Sequence, residues 1–201
     1  MGNGHSSHPP EQLSLAGMAP ASRPTDRLFF AIFPDAQAAA RIAQLAQRLR
    51  VEHGLHGHPI KTERFHVTLH HLGDHAGLRH DIVAAAKQSA ATVTMSPFEV
   101  AFDHVMSFDR PRNRPLVLRG GDGLAALTGF ERLLGTAMNK AGLGHWVKPG
   151  YTPHATLLYD DRSVAEQSVE TIAWTAREFV LVRSLLGQTR HEPLARWPLR
   201  G

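Results

Sequence analysis

The sequence predicts an α+β fold built on antiparallel strands. Short apolar runs of strand length occur in hairpin-like groups, without the regular strand–helix alternation of a parallel sheet. Between them lie stretches with apolar residues at helical spacing. The order of strand, helix and strand also returns loosely in the second half of the chain.

Residues 1–26 hold four Pro, three Gly and four Ser with little periodicity, and are expected to form a flexible tail before a single domain over 27–201. They lack the basic start and apolar stretch of a signal peptide. Met1-Gly2 with Ser6 formally matches a myristoylation signal, a pattern short enough to arise by accident. Leu28-Phe29-Phe30-Ala31-Ile32-Phe33 then reads as a buried strand ended by Pro34-Asp35. Ala38, Ile42, Leu45, Ala46 and Leu49 form one stripe, with Arg41, Gln44 and Arg48 elsewhere, so 35–52 reads as an amphipathic helix. Gly54 and Gly57 break it. A strand follows at 65–71, a helix at 77–91, and strands at 97–107 and 115–119. The second half offers a helix at 123–141, a break at Gly142 and Gly144, and a strand at 152–158. Closing strands at 178–187 and 190–199 suit a hairpin turning at Gly187-Gln188.

Composition narrows the chemistry. Of 201 residues, 42% are hydrophobic and 20% charged, which rules out a wholly disordered chain. No window approaches eighteen uninterrupted apolar residues, so no transmembrane helix is expected. With no cysteine, disulfides, thiolate metal sites and a cysteine nucleophile are all excluded, and a reducing cytoplasm is the expected location. The net charge of +4 suits an anionic partner such as RNA or a phosphate ester. Fourteen histidines point to acid–base chemistry or metal binding.

One pattern occurs twice: His66-Val67-Thr68-Leu69 and His154-Ala155-Thr156-Leu157. In a strand, alternate side chains share a face, so His66 goes with Thr68 and His154 with Thr156, opposite an apolar face. Two such strands side by side would line a cleft with two imidazoles and two hydroxyls. That set suits phosphodiester cleavage, where water attacks phosphorus opposite the departing alkoxide and needs a base on one side and an acid on the other. The threonines can donate to the non-bridging oxygens. A single His-x-Thr would mean little; two copies in matching halves carry more weight.

The paired motifs, the opening RLFFAIF followed by a helix, and the closing EPLARWPL resemble the 2H phosphoesterases. More narrowly they resemble the RNA 2′,3′-cyclic phosphodiesterases, also called 2′-5′ RNA ligases. The resemblance spans about 27–199. It implies a two-lobed, pseudo-twofold fold with antiparallel sheets lining a central cleft and helices outside. It implies hydrolysis of a 2′,3′-cyclic phosphate to a 2′-phosphomonoester, with His66 as proton donor, His154 as proton acceptor, and Thr68 and Thr156 holding the phosphate. Many members place an arginine soon after the second motif, whereas Leu158-Tyr159-Asp160 stands here.

Other readings are weaker. His53, His56, His58, His70, His71, His75 and His80 invite a metal, but His70 and His71 point to opposite faces of a strand and the 53–58 loop offers no carboxylate partner. No physiological metal and no cofactor are expected. Arg110, Arg112 and Arg114 in a proline-marked loop either clamp RNA phosphates or are simply solvated. Phe33 and Tyr151 could stack a base but suit the core equally, and neither is taken as a site. The expected partner is RNA with a 2′,3′-cyclic phosphate end, or a small cyclic nucleotide, met by a monomer away from membranes. Alternatives are a 2′-5′ RNA ligase running the chemistry backwards, a phosphodiesterase for another small ester, and a non-catalytic module that binds RNA ends.

Overall fold

The computed structural model describes residues 23–201. Most of the expected tail, with the Met1-Gly2 and Ser6 pattern, lies outside the described residues. The strands are β1 (Asp26–Ile32), β2 (Val67–His75), β3 (Phe98–Ser107), β4 (Arg114–Arg119), β5 (His154–Asp160), β6 (Gln167–Ala176), β7 (Glu178–Leu185) and β8 (Arg190–Pro198). The helices are α1 (Ala36–Glu52), α2 (His80–Ala90) and α3 (Ala125–Lys140).

The strands form one sheet in the order β6-β3-β4-β5-β2-β1-β7-β8, with every neighbouring pair antiparallel. Outward from its centre, β2, β1, β7 and β8 answer to β5, β4, β3 and β6. The units β1-α1-β2 and β4-α3-β5 are counterparts, giving the pseudo-twofold arrangement. The two halves meet at one Cα pair, Val67 with Ala155. Every other strand pairing runs over several residues.

Why these residues fold this way is plain in α1. Asp35 caps it by accepting the Ala38 N–H at 2.8 Å, satisfying a donor with no partner inside the helix. Ala38, Ile42, Leu45, Ala46 and Leu49 are then buried. Although α1 links β1 to β2, it packs behind β5 and β6 of the other half. Arg41 ties it there, donating to the Glu170 carboxylate and the Thr171 carbonyl, both at 2.8 Å. In turn α3, which links β4 to β5, packs against β2 and β3 and beside α2. Its buried Leu127, Phe130, Leu134 and Met138 join Phe30, Phe65, Phe102 and Phe179 in the main core between helices and sheet. Each such side chain contributes about 1.5–3 kcal/mol by leaving water. Gly135 lets α3 come down close, because a Cβ there would lie 3.2 Å from the His70 ring.

Two differences from the sequence expectations stand out. The first strand begins at Asp26, one residue inside the expected tail, and the Thr25 N–H already donates to the His75 carbonyl at 2.8 Å. Asp26 is buried because the Thr25 hydroxyl, at 2.5 Å, and Arg183 satisfy its carboxylate. The second is β6, an edge strand that the sequence leaves unassigned. Only its distal Ile172, Trp174 and Ala176 are buried, so its apolar alternation is half-length.

Candidate active site

His66 immediately precedes β2, and His154 opens β5. The pairing of Val67 with Ala155 sets their positions. Continuing that antiparallel register by one residue each way puts His66 opposite Thr156, and Thr68 opposite His154. Val67, Leu69, Ala155 and Leu157 are buried in the core, while the two histidines and two threonines are half-buried on the other face. The four candidate residues are thus brought together crosswise, each histidine beside the threonine of the other motif.

Both motif strands carry a β-bulge at the same place. Along β1, partners jump from His70 to Thr68 between Phe30 and Ala31, leaving Leu69 extra. Along β4, partners jump from Leu158 to Thr156 between Leu116 and Val117, leaving Leu157 extra. A bulge inserts one residue and resets the alternation. His70 and Leu158 therefore turn into the core, and His71 and Tyr159 return to the exposed side. Tyr159 belongs to the Leu158-Tyr159-Asp160 stretch, where the resemblance leads one to expect an arginine; its counterpart in the other half is His71. His71 leans on Asp74 at 3.2 Å, and Asp74 takes a two-pronged ion pair from Arg27, both contacts at 2.7 Å.

The two motif imidazoles are held by the same device. His66 Nδ1–H donates to the Arg64 carbonyl at 2.8 Å, and His154 Nδ1–H donates to the Thr152 carbonyl at 2.7 Å. A carbonyl only accepts, so each Nδ1 carries the hydrogen and each Nε2 is left for chemistry. Burial pushes His66 down to about 4, with the Arg64 and His154 charges adding to it and the carbonyl bond opposing. Burial also lowers His154, helped by Arg110 and Arg119. Both rings are accordingly neutral near pH 7 without a bound anion.

Their flanks differ. His66 packs on Phe29 at 4.9 Å and Phe33 at 6.1 Å between ring centroids, and edge-on against His191 of β8 at 5.3 Å. Arg64 reaches the same spot, its Nη2 3.3 Å from His191 Nε2. His154 instead meets Phe108 edge-on at 4.8 Å and pairs across strands with Arg119, whose Nη1 lies 3.2 Å from Met106 Sδ. Phe33 thus stands beside His66. Tyr151 packs against the main core with a raised pKa caused chiefly by burial. His191 and Arg64 escaped the sequence reading because neither lies in a repeated motif; His191 sits on β8, three strands from β2 in the sheet order, and only its folded-state contacts with Phe29 and His66 reveal it.

The remaining candidates disperse. His53 Nε2 accepts from the Gln167 amide at 3.0 Å, and His70 Nε2–H donates to the Glu131 carbonyl at 2.9 Å. Among the described residues, no group of three or more His, Cys, Asp or Glu side chains is placed to hold a metal ion. The basic loop divides: Arg110 acts on His154, Arg114 is tied to the Asp161 carbonyl, and Arg112 is exposed. Among the described residues no helix is long and apolar enough to cross a membrane.

A strand pair from a pseudo-twofold sheet thus presents two oriented imidazoles and two hydroxyls on one face. A family model described as the 2′-5′ RNA ligase superfamily matches residues 12–188, and the chain belongs to that superfamily. Among solved structures, E. coli LigT complexed with 3′-AMP is similar, with a TM-score of 0.66 and 24% identity over 90% of this chain and 100% of that one. The protein TT0787 of Thermus thermophilus is similar too, with a TM-score of 0.65 and 22% identity over 87% and 98%. At these identities the likeness is one of fold. No curated protein matches the chain.

Proposed function

We propose that the protein hydrolyses 2′,3′-cyclic phosphate ends of RNA or nucleotides to 2′-phosphomonoesters by paired histidine catalysis. The observation that carries this reading is the crosswise placement of His66, Thr68, His154 and Thr156, with both Nε2 atoms left free by their Nδ1 bonds. E. coli LigT has been solved with 3′-AMP and with ATP, which supports a nucleotide as ligand.

In this mechanism the hydroxyls of Thr68 and Thr156 hold the non-bridging oxygens and stabilise the charge that grows on them. His154 Nε2 takes a proton from water as its oxygen bonds to phosphorus. The bond from phosphorus to O3′ breaks, and O3′ receives a proton from His66 Nε2. The products are a 2′-phosphomonoester and a 3′-hydroxyl. Burial, with Arg110 and Arg119 adding to it, keeps the His154 ring neutral, as the base role requires. A phosphate monoanion in the cleft supplies the opposite charge that lets His66 hold a proton.

The test is to incubate EDTA-treated protein with a 2′,3′-cyclic nucleotide and with RNA ending in the same group, reading the product by phosphorus NMR. A 2′-phosphomonoester supports the reading. Joining to a supplied 5′-hydroxyl RNA without hydrolysis favours the ligase, and binding without product favours the RNA-end module.

A further inference from the structure

Arg119 stands on the same face of the sheet as the motif residues, and the mechanism gives it no contact with the substrate. It pairs directly across strands with His154, while Leu118 and Ala155, one residue along, pair in the core. Directly opposed residues put their side chains on one face, so the Arg119 stem rises beside the His154 imidazole. Thr68 flanks that imidazole from the other side. The Arg119 guanidinium is only half-buried and adds to what keeps the His154 ring neutral.

Its donors are largely unspent. Arg27 and Arg183, in the first half of the sheet, each hold a carboxylate. Arg119 has no ion pair among the described residues. Its Nη1 lies 3.2 Å from Met106 Sδ, and a thioether is a weak acceptor for one of five N–H groups. The nearby acid, Asp103, is taken up by His104 Nδ1 at 2.6 Å. The fold itself does not require a cation at this place. With Val67 and Ala155 as counterparts, Ile32 answers to Leu118, and Phe33 answers to Arg119. Phe33 fills its place with an apolar ring, 6.1 Å from that of His66. The two flanks are thus opposite in character, aromatic beside His66 and cationic beside His154.

We infer that Arg119 is a phosphate clamp: its free N–H donors hold a non-bridging oxygen of the phosphate that faces His154 and Thr68, and so fix which way round the substrate lies. The inference rests on the proposed phosphodiesterase reading and deepens it. A guanidinium presents its N–H groups in a planar fork that matches phosphate oxygens. Charge on those oxygens grows as water attacks, so the clamp adds to what the two threonine hydroxyls supply. Because Phe33 occupies the counterpart place, one of the two pseudo-symmetric orientations brings the oxygens to a cation and the other brings them to an aromatic ring. The favoured orientation leaves the ribose, and with it O3′, on the Phe33 and His66 side.

The test compares wild type with Arg119→Met, which keeps the stem, and Arg119→Lys, which keeps the charge without the fork. Calorimetry measures binding of a nucleoside 2′-phosphate and of the nucleoside itself, and kcat/KM for the nucleoside 2′,3′-cyclic phosphate is followed from pH 4 to 9. Arg119→Met should weaken binding of the 2′-phosphate by about tenfold or more and leave that of the nucleoside unchanged. It should also lower kcat/KM, taken at its own optimum pH, by a similar factor, and Arg119→Lys should recover part of both losses. A shifted pH profile with 2′-phosphate binding and peak kcat/KM retained would mean that Arg119 acts only through the His154 ring, and would overturn the clamp. Equal weakening of nucleoside and 2′-phosphate would mean a structural role and would overturn it too. Absence of turnover in wild type, with 2′-phosphate binding that still depends on Arg119, would refute the catalytic reading and retain the clamp. Absence of both would refute both.

Discussion

The backbone carbonyl of Arg64 accepts the Nδ1–H of His66 at 2.8 Å, so the residue that orients the first motif's imidazole also sends its guanidinium to the neighbouring His191. The orienting contact survives any side-chain change at Arg64. Ring orientation and local charge can therefore be varied separately.

His66→Ala and His154→Ala should each lower turnover by about 10²–10⁴ with the fold intact, the usual size for losing a general acid or base. A p-nitrophenyl phosphodiester, whose leaving group needs no proton, should partly rescue His66→Ala and not His154→Ala. Rescue of His154→Ala instead would exchange the two roles.

The pH profile of kcat/KM should be bell-shaped, because one imidazole must be neutral and the other protonated. Burial lowers both, His66 to about 4, so both limbs move to lower pH and the optimum lies on the acid side of the ordinary imidazole value of about 6.5. Rates measured from pH 4 to 9 check this, and an optimum above about pH 6.5 contradicts it.

Stability should fall as pH drops from about 6.5 to about 4. In that window the unfolded chain protonates His66 and His191, which the folded protein keeps neutral, so acid favours unfolding. Each such histidine contributes a slope of up to about 1.4 kcal/mol per pH unit. Denaturant melts across this range should show a shallower slope in His191→Phe. An unchanged slope would place the titration elsewhere.

The arginine loop should separate into two functions. Arg110→Ala should raise KM for RNA and reduce the salt dependence of binding, since this cation acts on His154. Arg114→Ala should mainly lower Tm, because it removes the tie to the Asp161 carbonyl that helps fix the loop. Similar kinetic effects from both would remove the distinction.

Asp160→Asn should destabilise the fold by about 1–3 kcal/mol. Burial opposes its charge, but the backbone N–H groups of Arg162, Gly57 and His56 bind the carboxylate at 2.8, 2.7 and 2.6 Å and hold its pKa below the usual range. An amide offers one oxygen where these donors use two. Gly57 must be glycine here, as a Cβ would come within 1.9 Å of the Tyr159 carbonyl oxygen. A denaturant midpoint unchanged from wild type would argue against the three-amide cradle.

The repeated His-x-Thr-Leu spacing made legible which face carries the histidines and threonines and which the core, because period-two alternation needs only local sequence. The helices were legible from stripes such as Ile42, Leu45 and Leu49. The bulges at Leu69 and Leu157 were not, since a bulge is defined by the partner strand and both leucines look like ordinary core residues. For the same reason the burial of His70, which continues the His66 and Thr68 parity in sequence, could not be read. His191 had no signal at all: its place depends on β8 adding to β7, across which its ring meets Phe29 of β1.

The sheet order carries a consequence for how the chain acquires its shape. Strands β3, β4, β5 and β6 form one uninterrupted stretch of sequence, whereas β1 and β2 wait for β7 and β8 at the far end. During synthesis β1 emerges with an unpaired backbone edge whose partner, β7, is made only after the whole opposite half. Behind β5 and β6, however, α1 is already available to cover the newly made surface. The early segment thus finds shelter on strands that are not its own, and the late hairpin closes the first half like a clasp.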